Sequence, residues 1–145
     1  MWIGVAEKAS ARPASSRRAT TDADAGPNQW LFLAAAWLVP GAGHLWLGRW
    51  QKGLTFLIVL PMMFVFGLVL KGRLFPFAPT EPLVALASIA DIGVGLPNLL
   101  ARALGYGAGQ VTAITWEYGN TFTIVSGLLN MLVILDAFDL LEGRK

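Results

Sequence analysis

Charged residues in this chain are gathered into short clusters, and the stretches between them are long enough to cross a bilayer. Residues 53–70 read GLTFLIVLPMMFVFGLVL, without one charged side chain. About 20 residues rising ~1.5 Å each span a ~30 Å hydrocarbon core. Residues 25–48 also lack Asp, Glu, Lys and Arg, and hold the single histidine, His44. Two further apolar runs follow. Residues 83–100 carry Asp91 near their centre, and 121–141 carry Asp136 and Asp139 towards their end. The pattern predicts an all-α, polytopic membrane helix bundle over residues 29–145, with about four transmembrane helices at 29–48, 53–70, 83–100 and 121–141.

Proline and glycine punctuate these segments. Pro40, followed by Gly41 and Gly43, predicts a kink or break near residues 36–40, and Pro61 a second kink. Only Arg49, Trp50, Gln51 and Lys52 separate the first two segments, so they are expected to form a tight antiparallel hairpin. Pro76, Pro79 and Pro82 keep 71–82 irregular, while Gly105, Gly107, Gly109 and Gly119 mark 101–120 as a loop. Asn120 or Thr121 is the expected cap of the last helix. Residues 1–28 are rich in Ala, Ser, Thr, Arg and Asp and read as a flexible tail. Glu7, Lys8 and Arg12 fall where the apolar core of a signal peptide would be.

Composition agrees with a membrane class: 55% of residues are hydrophobic and 14% charged, against ~25% charged in soluble domains. A net charge of +2 with no basic patch interleaved with aromatics gives no expectation of a nucleic-acid partner. The absence of cysteine and the lone His exclude disulfides, thiolate sites and His-rich metal clusters. For four spans, the tail, the 71–82 loop and the C-terminus share one side with Lys8, Arg12, Arg17, Arg18, Lys71, Arg73, Arg144 and Lys145. Arg49, Lys52 and Arg102 lie opposite. The positive-inside rule then places both termini in the cytoplasm, in the cell (inner) membrane. A re-entrant first segment with a spanning third gives seven against four instead. Trp30, Trp46, Trp50 and Trp116 fall near predicted span ends, where an apolar ring with a polar N–H is at home.

The densest motif is Pro40-Gly41-Ala42-Gly43-His44-Leu45-Trp46-Leu47-Gly48-Arg49-Trp50-Gln51-Lys52-Gly53. Glycines let helices approach closely where lipid supplies no hydrophobic drive for association. The bland reading is a structural hairpin turn with interfacial charges; the sharper readings are a ligand site at His44 or a docking surface. On Gly43, His44, Trp46, Leu47, Gly48, Arg49 and Gly53 the chain resembles small bacterial membrane proteins related to the TM2-domain group. That resemblance implies a two-helix hairpin topology, with Asp136 as the echo of an acid closing the second helix.

Asp91 is the mid-span carboxylate, which costs roughly 2.5–3.5 kcal/mol on insertion scales and so calls for a partner. His44 and Arg49 are the candidate partners. Thr123, Gly127, Asn130, Ile134 and Ala137 share one helix face, and Asn130 is expected to bond across the bundle. Asp136 and Asp139 are expected to meet Lys71 or Arg73.

These features favour a non-enzymatic structural or accessory subunit that docks beside a larger membrane complex or self-associates. There is no Gly-x-Ser-x-Gly, HExxH or phosphate loop. Two alternatives stay open. Neutral imidazole at His44 suits a chlorophyll-type pigment in a photosynthetic or respiratory assembly, and an oligomer using Asp91 suits a proton or ion path. No cofactor is otherwise expected beyond a pigment or lipid.

Overall fold

The computed structural model describes residues 27–78 and 80–144. The expected flexible tail lies outside the described residues as far as 26, as do Pro79 and Lys145. The described residues form six helices: α1 (Pro27–Leu38), α2 (Ala42–Trp46), α3 (Trp50–Val69), α4 (Pro82–Gly93), α5 (Leu96–Ala103) and α6 (Trp116–Leu141). Among them there is no strand, only an isolated bridge between Arg73 and Ala108.

Two helices, α3 with 20 residues and α6 with 26, are long and apolar enough to cross a membrane. They run antiparallel. Gly67 and Gly72, at the far end of α3, lie against Gly119 near the start of α6. At the opposite end, His44 of α2 meets Asp136 and Gly43 lies against Ala137.

The segments expected at 29–48 and 83–100 are each two helices rather than one. The break expected near Pro40 is present, and the chain then doubles back. The Phe32 and Trp46 rings meet edge to face at 6.4 Å, and Gly43 lies against Ala36. Those pairings lie on either side of the turn, so α1 and α2 are the arms of a helical hairpin. Pro40 ends α1 because it has no N–H to donate. Gly41 turns the chain at φ 85°, a conformation that costs a side chain but not glycine.

The pair α4 and α5 is bent by 103° at Val94–Gly95 and reaches spanning length only when both helices are taken together. Asp91 of α4 bonds the Phe75 backbone, Gly93 packs deeper against Met131 and Gly127, and Arg102 of α5 returns to Phe75. The loop after α5 stays at that end: Gln110 N–H donates to the Lys71 carbonyl at 3.1 Å and Thr115 Oγ1 to that of Leu70 at 2.8 Å. The second hairpin therefore enters and leaves by the end of the α3–α6 pair opposite to the first.

The last helix starts at Trp116, five residues before the expected 121. Asn120 and Thr121 are inside it and Thr115 is its flanking residue. Gly119, read as a loop glycine, lies inside the helix where Gly67 and Gly72 press on it. The core is narrow: Phe64, Leu60, Ala90 and Val94 are buried. Gly127 lies so close to the Ala90 carbonyl that any Cβ there would collide with backbone. Large apolar side chains such as Ile58, Leu83 and Leu132 instead point outward, each more than half exposed.

Gly127→Val should lower unfolding stability by about 1–3 kcal/mol, the usual cost of overpacking. SDS titration of the purified protein in micelles, followed by circular dichroism, measures it. An unchanged midpoint would mean that α4 and α6 do not touch there.

Candidate functional site

The polar groups that the sequence places in apolar segments gather where the helices break. Thr123, Gly127, Asn130 and Ala137 are buried along one face of α6, as their spacing predicts, with Ile134 half-buried. Asn130 is fully buried. Its Nδ2 donates to the Gly93 carbonyl at 2.9 Å and to that of Trp37 at 3.4 Å. Trp37 Nε1 in turn donates to the Ile92 carbonyl at 3.2 Å. A helix end leaves four carbonyls without intrahelical partners, and here the ends of α1 and α4 meet at one side chain of α6. The two corners are in van der Waals contact. Gly95, at φ 78°, sits against the Trp37 carbonyl with no room for a Cβ.

His44 is also fully buried, but its partner is Asp136: Nε2 and Oδ2 are 3.0 Å apart. The Phe56 ring packs against the imidazole at 5.3 Å, and the buried Nδ1 has no hydrogen-bond partner. This corrects two expectations. His44 does not reach Asp91, and Asp136 does not meet Lys71 or Arg73. The reason is topological: the first hairpin returns His44 to the end where α6 finishes, and Lys71 lies at the end where α6 begins. Asp139 pairs instead with Arg144, at 3.7 Å, and Arg144 also meets Glu142 at 2.6 Å.

Asp91 is fully buried and is held by the loop after α3. Its Oδ2 accepts the Phe75 N–H at 2.9 Å, with Thr123 and the Arg102 guanidinium as further polar neighbours. Arg49, its other expected partner, is exposed at the start of α3. Arg102 extends the chain of bonds, donating from Nη2 to the Phe75 carbonyl at 2.9 Å and from Nε to Asn98 Oδ1 at 2.7 Å. Sequence reasoning missed both Asn98 and Arg102. Their spacing of four on a helix was the available signal. Asn120, expected as a cap, accepts the Arg73 N–H at 2.7 Å and pins the same loop to α6.

The glycine motif is a packing device. Pro40 and Gly41 are buried at the turn, with Gly41 against the Gly53 carbonyl; Gly43 packs on Ala137 and Gly53 on Leu45. Gly48 has nothing near it and supplies a positive φ of 74° before α3. Among the described residues no three His, Cys, Asp or Glu side chains are grouped to hold a metal.

Residues 31–145 match DUF6677, a family of unknown function, and the chain belongs to that family. The match carries no TM2-domain relationship. No match is found among curated proteins or among solved structures.

Asp136→Leu should strand a buried imidazole with both nitrogens unpaired, at a cost on the order of 1–3 kcal/mol. Adding His44→Phe should recover part of the loss, since the stranded imidazole is then gone. A double-mutant cycle from SDS unfolding midpoints checks this. Additive losses would show that the two side chains do not interact.

Proposed function

We propose that this DUF6677 member is a non-enzymatic integral protein of the cell membrane, a small structural or accessory subunit that docks beside a larger complex or self-associates. One observation supports this above others: the buried polar side chains tie helix to helix, whereas the outward surface is apolar. Asn130 joins two helix ends, His44 joins α2 to α6, and Asp91 fastens a loop. The pigment alternative is weaker, because Nε2 of His44 already faces Asp136 and its ring is packed on Phe56. The ion-path alternative is weaker because Asp91 Oδ2 is tied to the Phe75 backbone N–H.

In this reading α3 and α6 cross the bilayer, and the two helical hairpins are re-entrant, one from each face. The first face then carries Lys8, Arg12, Arg17, Arg18, Arg49, Lys52, Arg144 and Lys145, and the second Lys71, Arg73 and Arg102. That excess again puts both termini in the cytoplasm, with the 49–52 and 71–78 loops exchanged relative to four full spans.

The chain has no cysteine, so single cysteines report topology cleanly. Gln51→Cys should be shielded from an impermeant thiol reagent in intact cells and Arg73→Cys should react. The reverse pattern would overturn this topology. Extraction in mild detergent followed by native electrophoresis should give a species well above the 15.6 kDa of one chain. A lone monomer would remove the subunit reading.

A further inference from the structure

Beside the close-packed helix junctions the described residues leave a wide opening. Between α3 and α5 lies a groove of about 730 Å³. Such a volume is typical of ligand pockets, which run roughly 300–1,000 Å³. Its walls are apolar, built from Pro61, Val65, Leu100 and Leu104 among others, and its polar lining groups are Lys71 and Tyr106. None of the lining residues is acidic.

Along α3 the groove runs from Pro61 to Lys71, ten residues or ~15 Å at ~1.5 Å each. That is half of a ~30 Å hydrocarbon core, the depth of one leaflet. The cation stands at the end of the helix, where the headgroup layer begins. Its backbone is fixed there: Lys71 has φ 68°, a conformation that favours glycine, its N–H donates to Leu68 at 3.0 Å, and its carbonyl accepts from Gln110 at 3.1 Å. A glycine would cap the helix with less strain, but would bring no ammonium to the groove.

We infer that this groove holds one acyl chain of an anionic phospholipid, with the headgroup phosphate at Lys71 and the Tyr106 hydroxyl. The inference rests on the membrane reading above. An ammonium binds phosphate as a compact point charge, and a tyrosine at the headgroup level keeps its ring in apolar surroundings and its O–H at the polar edge. The apolar wall takes the chain and the cation selects the headgroup.

Native mass spectrometry of the protein released from nanodiscs of equimolar phosphatidylglycerol and phosphatidylcholine tests it. The expected result is one retained lipid per chain, with phosphatidylglycerol preferred about fivefold, the effect of one cation at the membrane surface. Lys71→Gln should keep the lipid and lose the preference. Leu100→Trp and Val65→Trp, each at a half-exposed wall position, should fill the groove and lose the lipid with helical circular dichroism unchanged. Equal retention in both tryptophan variants would mean annular lipid only and would overturn the proposal, as would a wild type without headgroup preference. The two readings fail separately. A chain that stays monodisperse without detergent overturns the membrane reading, whereas one that needs detergent yet retains no lipid overturns the groove alone.

Discussion

A carbonyl that loses its helix must find a donor, and in apolar surroundings no water stands in for one. This chain breaks two of its apolar segments in their middles, which frees carbonyls at the ends of α1 and α4. Both ends are brought to the same point on α6, where the Asn130 amide donates to each. The Trp37 indole adds a third donor between the two corners. The rest of the arrangement follows from this meeting. It sets how deep each hairpin reaches, which face of α6 is buried, and why α6 is polar along that stripe although its remaining surface is apolar.

Small residues make the meeting sterically feasible. Gly127 lets the α4 backbone lie directly on α6, Gly95 lets one corner rest against the other, and Ala137 receives Gly43. Packing of this kind relies on dispersion and backbone contact rather than on burying large side chains. It leaves the bulky residues free to face outward. At the far end the Asp91–Phe75–Arg102–Asn98 chain of bonds fastens the second hairpin to the loop that precedes it. Two polar clusters and one amide thus secure three separate levels of the bundle.

Much of this was legible in the residues. Apolar run lengths located α3 to within a few residues, Pro40 and Gly41 marked the first break, and the three-and-four spacing on α6 picked out Asn130 on the buried face. The doubling back of the first segment was not legible. Proline and glycine say where a backbone yields, not through what angle, and 20 apolar residues serve equally as one span or as two arms. Pairing failed for the same reason. His44 and Asp136 are 92 residues apart, and only the hairpin puts them at one level. The start of α6 was obscured because Gly119 and Asn120 look like loop residues by type. They are there to admit Gly72 and to hold Arg73.

Asn130 belongs to α6, which leaves the ribosome after the other five described helices. Until α6 arrives, neither hairpin tip has its amide donor, and His44 and the Arg73 amide likewise await Asp136 and Asn120. The first hundred residues therefore carry the bends without the group that stabilises them. Among the described helices α6 acts as a keystone, and a truncation before residue 116 would leave both arms without their anchor.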